Sequence, residues 1–336
     1  MLGYPAAVVE LEAPQNDVRA ALAAGAPAYL FVNPIEYHGP HLSLRNDFEI
    51  SRGLARDLHA GLVREHPAWG EFPMIATRDL DVGVEPAPGP GSIAVSYHDV
   101  CERVVAACDE LVALGAKRVL FMTFHGSPLH AHAIRCGEER LRRRGVHAMN
   151  PLNLVMRQML APDTTRLAAA FAHVEDAAER DEMMRGLGQD FHAGFGETSI
   201  ALHYAPTTVD ALYTRLPPCP PFVRTAPGRL AGALGRVARL AGARETALEL
   251  GLVADALGWY ALRPFPGYTG RPHRATAHAG SVFAHEMVSA YVDAARDVLF
   301  GRASAPAPVM AWMPAVSLGG RVGGAAVPLD AVQSFA

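Results

Sequence analysis

Lysine is almost missing from this chain: Lys117 is the only one, and every other basic residue is arginine. Schiff-base and pyridoxal-phosphate chemistry needs a lysine amine, and Walker-type phosphate loops need one beside the phosphates. Lys117 follows an expected helix stop at Gly115 and opens a strand, at the wrong end of a parallel sheet for either role. Cysteine is scarce too. Cys101, Cys108, Cys136 and Cys219 form no C-x-x-C pair and match no disulfide or structural-zinc spacing, which points to a reducing compartment. No run of like charge stands out among 34 acidic and 30 basic residues, so a nucleic-acid surface is not expected, and a small, roughly neutral substrate is. The N-terminal segment shows no basic start followed by an apolar core. Its longest apolar stretch, Ala26 to Val32, is far too short to cross a bilayer. Together these absences predict a cytoplasmic protein without membrane or nucleic-acid partners.

What is present is a chain of 336 residues, 50% hydrophobic, long enough to bury a substantial core. Ala28 to Val32 reads as a buried parallel strand ended by Asn33-Pro34. A polar loop follows, and from Asp47 the spacing of Ile50, Leu54, Leu58 and Leu62 predicts a helix. Val100, Val104, Leu111 and Leu114 predict another helix that stops at Gly115 and feeds a strand over Arg118 to Thr123. A helix over His130 to Arg144 and a strand over Gly145 to Met149 come next. This alternation predicts an α/β fold, a three-layer α/β/α sandwich with a mainly parallel central sheet. Gly83 to Gly91 reads as an ordered loop at the rim of the site, and Pro151 to Arg185 as helical. Two amphipathic helices, about 229–243 and 247–260, form an insertion or lid within 217–262. A last helix runs from about Ala275 to Leu299. The expected organisation is one domain over 1–300 and an Ala/Pro/Gly-rich tail over 301–336, extended or poorly ordered.

In such sheets the site lies beyond the carboxyl ends of the strands. Glu36 and His38 stand two apart, so in an extended segment both side chains leave on one side. Asp47 at a helix start can bridge to them, and His125 arrives from the end of a second strand. Carboxylate and imidazole donors converging from two strand ends suit zinc, manganese or iron in a site with positions left for water. Each residue also has a plain alternative: Asp47 as a helix cap, His192 as a packed loop histidine, Glu197 as a cap for a helix from Thr198.

The segment Glu36-Tyr37-His38-Gly39-Pro40-His41-Leu42-Ser43-Leu44-Arg45-Asn46-Asp47 resembles the creatininase family's Glu-Gln-His-Gly-Pro-His-Leu-Pro-x-x-Thr-Asp signature. Phe124-His125-Gly126-Ser127 resembles its Gly-His-Gly-Gly turn. His192-Ala193-Gly194-Phe195-Gly196-Glu197-Thr198-Ser199 resembles its His-Ala-Gly-x-x-Glu-Thr-Ser block, and Gly267 to Pro272 its Gly-x-x-Gly-x-Pro segment. The resemblance implies a metal-dependent amidohydrolase, a homo-oligomer such as a hexamer, holding one or two divalent ions, zinc first and manganese or iron otherwise. It implies Glu36, Asp47 and His125 as ligands of one ion, His38 with Asp47 as ligands of the other, His192 as the proton carrier, and Glu197 as ligand or base. His41 is then a supporting or rim residue, and His130 and His132 belong to the following helix.

Departures bear on the substrate. Ser127 stands where creatinine-hydrolysing members carry a glutamate, Pro128 replaces an asparagine, and Tyr37 a glutamine. Creatininase proper places tryptophans over its ring substrate, yet Trp69, Trp259 and Trp312 all lie outside the stretch from His125 to His192. The expected reaction is cleavage of a C–N amide bond in a small metabolite other than creatinine. The alternatives are metal-dependent hydrolysis of a C–C or ester bond in a cyclic metabolite, or a non-catalytic binding protein on the same fold.

Overall fold

The computed structural model describes residues 11–322 and 327–334. Expectations for 1–10, 323–326 and 335–336 lie outside the described residues. In chain order the elements are α1 (Gln15–Ala23), β1 (Ala28–Phe31), α2 (Asn46–Glu65), β2 (Ile75–Ala76), α3 (Tyr97–Ala113), β3 (Arg118–Met122), α4 (Pro128–Arg143), β4 (His147–Met149), α5 (Leu152–Met159), α6 (Ala177–Arg185), α7 (Phe195–Tyr204), α8 (Ala226–Leu240), α9 (Arg244–Tyr260), α10 (Ala277–Val298) and α11 (Met313–Val316).

Four strands form a parallel sheet in the order β2-β1-β3-β4. Every residue of β1 is buried, as expected for a strand covered on both faces. The helices make the two outer layers of an α/β/α sandwich: α3 packs with α4, and α10 with α2 and α7. The predicted core face of α2, Ile50, Leu54, Leu58 and Leu62, is buried. The helix stop at Gly115 works as proposed, with φ at +95°, a conformation glycine adopts without a Cβ clash.

Two segments differ from expectation. Pro151 to Arg185 does not form continuous helix: α5 ends at Met159, Pro162 follows, and a single 3₁₀ turn at Ala168–Phe171 precedes α6. Proline blocks helical continuation, and the break lets Phe171 and Val174 drop into the core. The tail is not a loose extension over its described residues. It forms α11, buries Val309, Met310 and Val327, and Phe265 exchanges main-chain hydrogen bonds with Ala331 and Gln333. Val327 joins a satellite core with Ala87, Trp259, Leu262 and Phe265, tying the rim loop, the α8–α9 hairpin and the tail together.

Candidate metal centre and its cavity

β1 and β3 lie side by side, with Phe31 opposite Met122, so the loops leaving them start together. Buried Asn33 ties the two starts: its side-chain amide donates to Ser51 Oγ and to the Met122 carbonyl, and its Oδ1 accepts from Phe124 N–H. Three groups of donors then fall within metal-binding reach of one another: Glu36 with Asp47 and His125, His38 with Asp47 and Glu197, and Glu36 with His38 and His192. All six sequence candidates therefore meet at one place. His41 does not join them; its Nε2 turns to Thr198 Oγ1 at 2.9 Å. His130 likewise turns away, to the Val32 carbonyl at 3.0 Å.

Each of the three clustered histidines has one ring nitrogen against a backbone carbonyl. His125 Nε2 lies 2.9 Å from Val84 O, His38 Nδ1 3.0 Å from Glu36 O, and His192 Nε2 2.9 Å from Tyr37 O. Those nitrogens carry the protons and donate, because a carbonyl can only accept. The opposite nitrogens are then left to face the carboxylates, the arrangement by which metal-binding imidazoles are held in one tautomer. His125 Nδ1 is 2.7 Å from Glu36 Oε2 and 3.8 Å from Asp47 Oδ2. His38 Nε2 is 3.2 Å from Asp47 Oδ1, 3.3 Å from Glu197 Oε1 and 3.8 Å from Glu36 Oε2.

Asp47 Oδ2 is buried with no hydrogen-bond partner, and Glu36 Oε2 has only His125 Nδ1, at 2.7 Å. A buried carboxylate oxygen left this way is costly unless a cation faces it. Donor atoms that share a zinc at roughly 2.0–2.2 Å sit about 3–3.5 Å apart, close to the spacings here, so the donor set fits a divalent ion. Electrostatics agree. Burial alone would raise Glu36, yet His125, His38 and His192 hold its carboxyl well below the usual range. Burial, with Glu36 nearby, pushes Asp47 up to about 7. Burial alone would lower His125, but Glu36 and Asp47 bring it up to about 9. Protons on these histidines are what a cation must displace on binding.

The supporting contacts are local. Asn46, one residue before Asp47 in the first turn of α2, donates to Glu197 Oε1 at 2.7 Å. Ala193 takes a left-handed conformation, φ 48°, and its N–H donates to Glu197 Oε2 at 2.6 Å. Both oxygens of Glu197 are thus occupied by donors, which suits a ligand better than a free base. Asp190 accepts from Phe195 and Gly196 N–H and so caps α7, the helix carrying Glu197. Thr269, in the Gly267–Pro272 segment, donates its N–H to the His192 carbonyl, and its Oγ1 accepts from His192 N–H at 3.1 Å.

His192 stacks on His38, ring centres 4.5 Å apart, and touches Trp259 at 5.1 Å. Burial and the neighbouring His38 hold its pKa low, so the ring is neutral with a lone pair on Nδ1, 3.9 Å from Glu36 Oε1. Trp259 and Trp312 reach the cavity from outside the stretch between His125 and His192. Glu85, which the sequence reading left unassigned, carries φ 56° and accepts from Ser127 Oγ at 3.2 Å; its only sequence signal is its place in the Gly83–Gly91 loop. The cluster opens into a cavity of about 1370 Å³.

Comparison with known proteins agrees with this fold. A creatininase crystal structure is 16% identical, with a TM-score of 0.56 over 86% of this chain and 96% of that one. A zinc–zinc form of a creatininase mutant is 18% identical at a TM-score of 0.52, and a structure described as creatininase with manganese is 17% identical at 0.51. They cover 86% of this chain and 96% and 97% of their own. No relative is found among curated proteins. No described helix is long and apolar enough to cross a membrane. The creatininase model, described as creatinine amidohydrolase, matches residues 12–295; with that match spanning most of its length, the chain belongs to the creatininase family.

Proposed function

We propose that the chain is a metal-dependent hydrolase of a C–N amide bond in a neutral compound other than creatinine. The observation that carries this is the convergence of the buried Glu36 and Asp47 carboxylates, Asp47 Oδ2 without a hydrogen-bond partner, on the carboxylate-facing nitrogens of carbonyl-anchored histidines. Glu36, Asp47 and His125 would hold one divalent ion, and His38, Asp47 and Glu197 a second. Zinc or manganese, both present in related creatininase structures, are the ions to load. A bound ion of this kind supplies Lewis acidity toward an amide carbonyl and acidifies water.

The chain's own residues do the rest. Glu36 and Asp47 keep the cluster anionic enough to retain the charge that the reaction needs. His192, neutral and holding its Nε2 proton on Tyr37 O, accepts a proton at Nδ1 and passes it to the departing nitrogen. Trp259 packed on its ring keeps that nitrogen turned toward the cluster.

The test is elemental analysis of protein purified without a metal-binding tag, beside His38→Ala and His125→Ala, followed by an amide panel with and without chelator. One or two zinc or manganese ions per chain, lost in both variants, with chelator-sensitive amide cleavage, is the expected result. A wild type that binds no metal after incubation with either ion overturns the proposal.

A further inference from the structure

We infer that the substrate is a neutral amide bearing a large apolar arm, seated on a wall built by α5, α9 and the C-terminal segment; this rests on the amide-hydrolase reading above. Size is the first observation. Clefts for drug-sized ligands hold about 300–1,000 Å³, and this cavity holds about 1370 Å³ beside the cluster. A compact polar metabolite would leave most of it to water.

Lining chemistry is the second observation. α5 contributes Val155, Met156 and Met159, and α9 contributes Leu252, Ala256 and Leu257. Beyond residue 295, where the family match ends, the tail adds Met310, Met313 and Val316. Apolar surface of this extent, held open to water, is unfavourable unless a ligand covers it. Five of the chain's eleven methionines face the cavity. Unbranched thioethers adjust to irregular apolar shapes, which suits an arm with freedom in its outline.

Charge is the third. Among the described residues Arg166 is the one arginine lining the cavity and no lysine does; Arg166 Nε lies 3.4 Å from Glu286 Oε2. Against that one guanidinium the lining sets the carboxylates of Glu286, Asp293, Glu85 and Asp163, so the wall is poor in cations to hold a carboxylate or phosphate on the arm. Acidic residues at the rim, Glu85 and Asp163 among them, would repel one.

The experiment has a binding arm and a turnover arm. Nile red bound to the full-length protein is displaced by acetamide, decanamide or decanoate, on metal-stripped and on zinc-loaded samples. Zinc-loaded enzyme is assayed on N-acyl 4-nitroanilides from acetyl to decanoyl. Each buried CH₂ is worth up to about fourfold, so decanamide is expected to displace the dye at a concentration at least about 100-fold below acetamide. Val155→Trp and Ala256→Trp, on separate helices, should cut that ratio below about tenfold; if either fails to fold, the other decides, and if both fail the wild-type ratio does.

If decanamide wins and no anilide is cleaved, the apolar site stands and the reaction assigned above falls. If all anilides are cleaved alike and the amides displace the dye alike, the reaction stands and the apolar arm is overturned. Decanoate displacing the dye from metal-stripped protein better than decanamide overturns the neutral arm.

Discussion

At the strand ends, polar side chains around the cavity are fixed by directional contacts: three imidazoles on three carbonyls, Glu36 on Ala87 N–H, Glu197 between Asn46 and Ala193. Across the cavity, the wall from α5, α9 and the tail offers it mainly aliphatic and thioether surface, and its own directional contacts, such as Glu249 on Met310 N–H and Trp312 Nε1, join the elements to one another. The first region tolerates little change because each group orients another, and bond geometry decides its function. The second depends on shape and area, so its residues can vary while the reaction stays the same. Chemistry and substrate choice are thus carried by different parts of the chain.

The largest effect expected from a single contact is in the first region. Asn46→Ala frees Glu197 Oε1 from its donor without touching a ligand atom. Zinc affinity should fall by roughly 10- to 100-fold, read by titrating zinc into metal-stripped protein. An unchanged affinity would mean that Glu197 is held by Ala193 alone, and the directional account of this region would weaken. Trp259→Phe probes the border between the regions. It removes the Nε1–H that donates to Tyr268 O at 2.9 Å and leaves that buried carbonyl bare. A stability loss of about 1–3 kcal/mol is expected, read from denaturant midpoints, with zinc affinity within about twofold of wild type. A large loss of zinc binding would show that the two regions are one.

The same division explains what could be read before folding. Strands ending at Phe31 and Met122 are legible because a buried parallel strand writes a continuous apolar run, and the motif loops begin where those runs stop. The convergence of Glu36, His38, Asp47, His125, His192 and Glu197 was legible from spacing and resemblance. Their fixation was not, because the carbonyls of Val84, Glu36 and Tyr37 are present at every position of any sequence. Trp259 lies outside the stretch from His125 to His192, yet α9 and the satellite core bring it onto His192. The tail's Ala/Pro/Gly composition hid Val309, Met310 and Val327, three apolar residues too sparse to make a periodic signal and sufficient to bury the segment.

Glu138 gives the smallest effect and a control for both regions, since it is a buried acid that faces no metal candidate. Its Oε1 accepts from Asn150 N–H at 2.6 Å, and burial pushes its carboxyl from 4.5 up to about 7, against the pull of that hydrogen bond and Arg135. The folded pKa lies above the unfolded one, so below about pH 4.5 both states are protonated and there is no penalty. Between about 4.5 and 7 the unfolded chain releases the proton while the folded chain keeps it, and stability falls as pH rises. Above 7 the penalty is constant. Glu138→Gln keeps an accepting oxygen and cannot ionise, so its stability relative to wild type should improve across that window by on the order of 1 kcal/mol. Denaturant midpoints at pH 4.5 and 8 check this on metal-stripped protein. Parallel profiles for variant and wild type would show that Glu138 ionises freely and that burial alone is not what raises an acid in this fold.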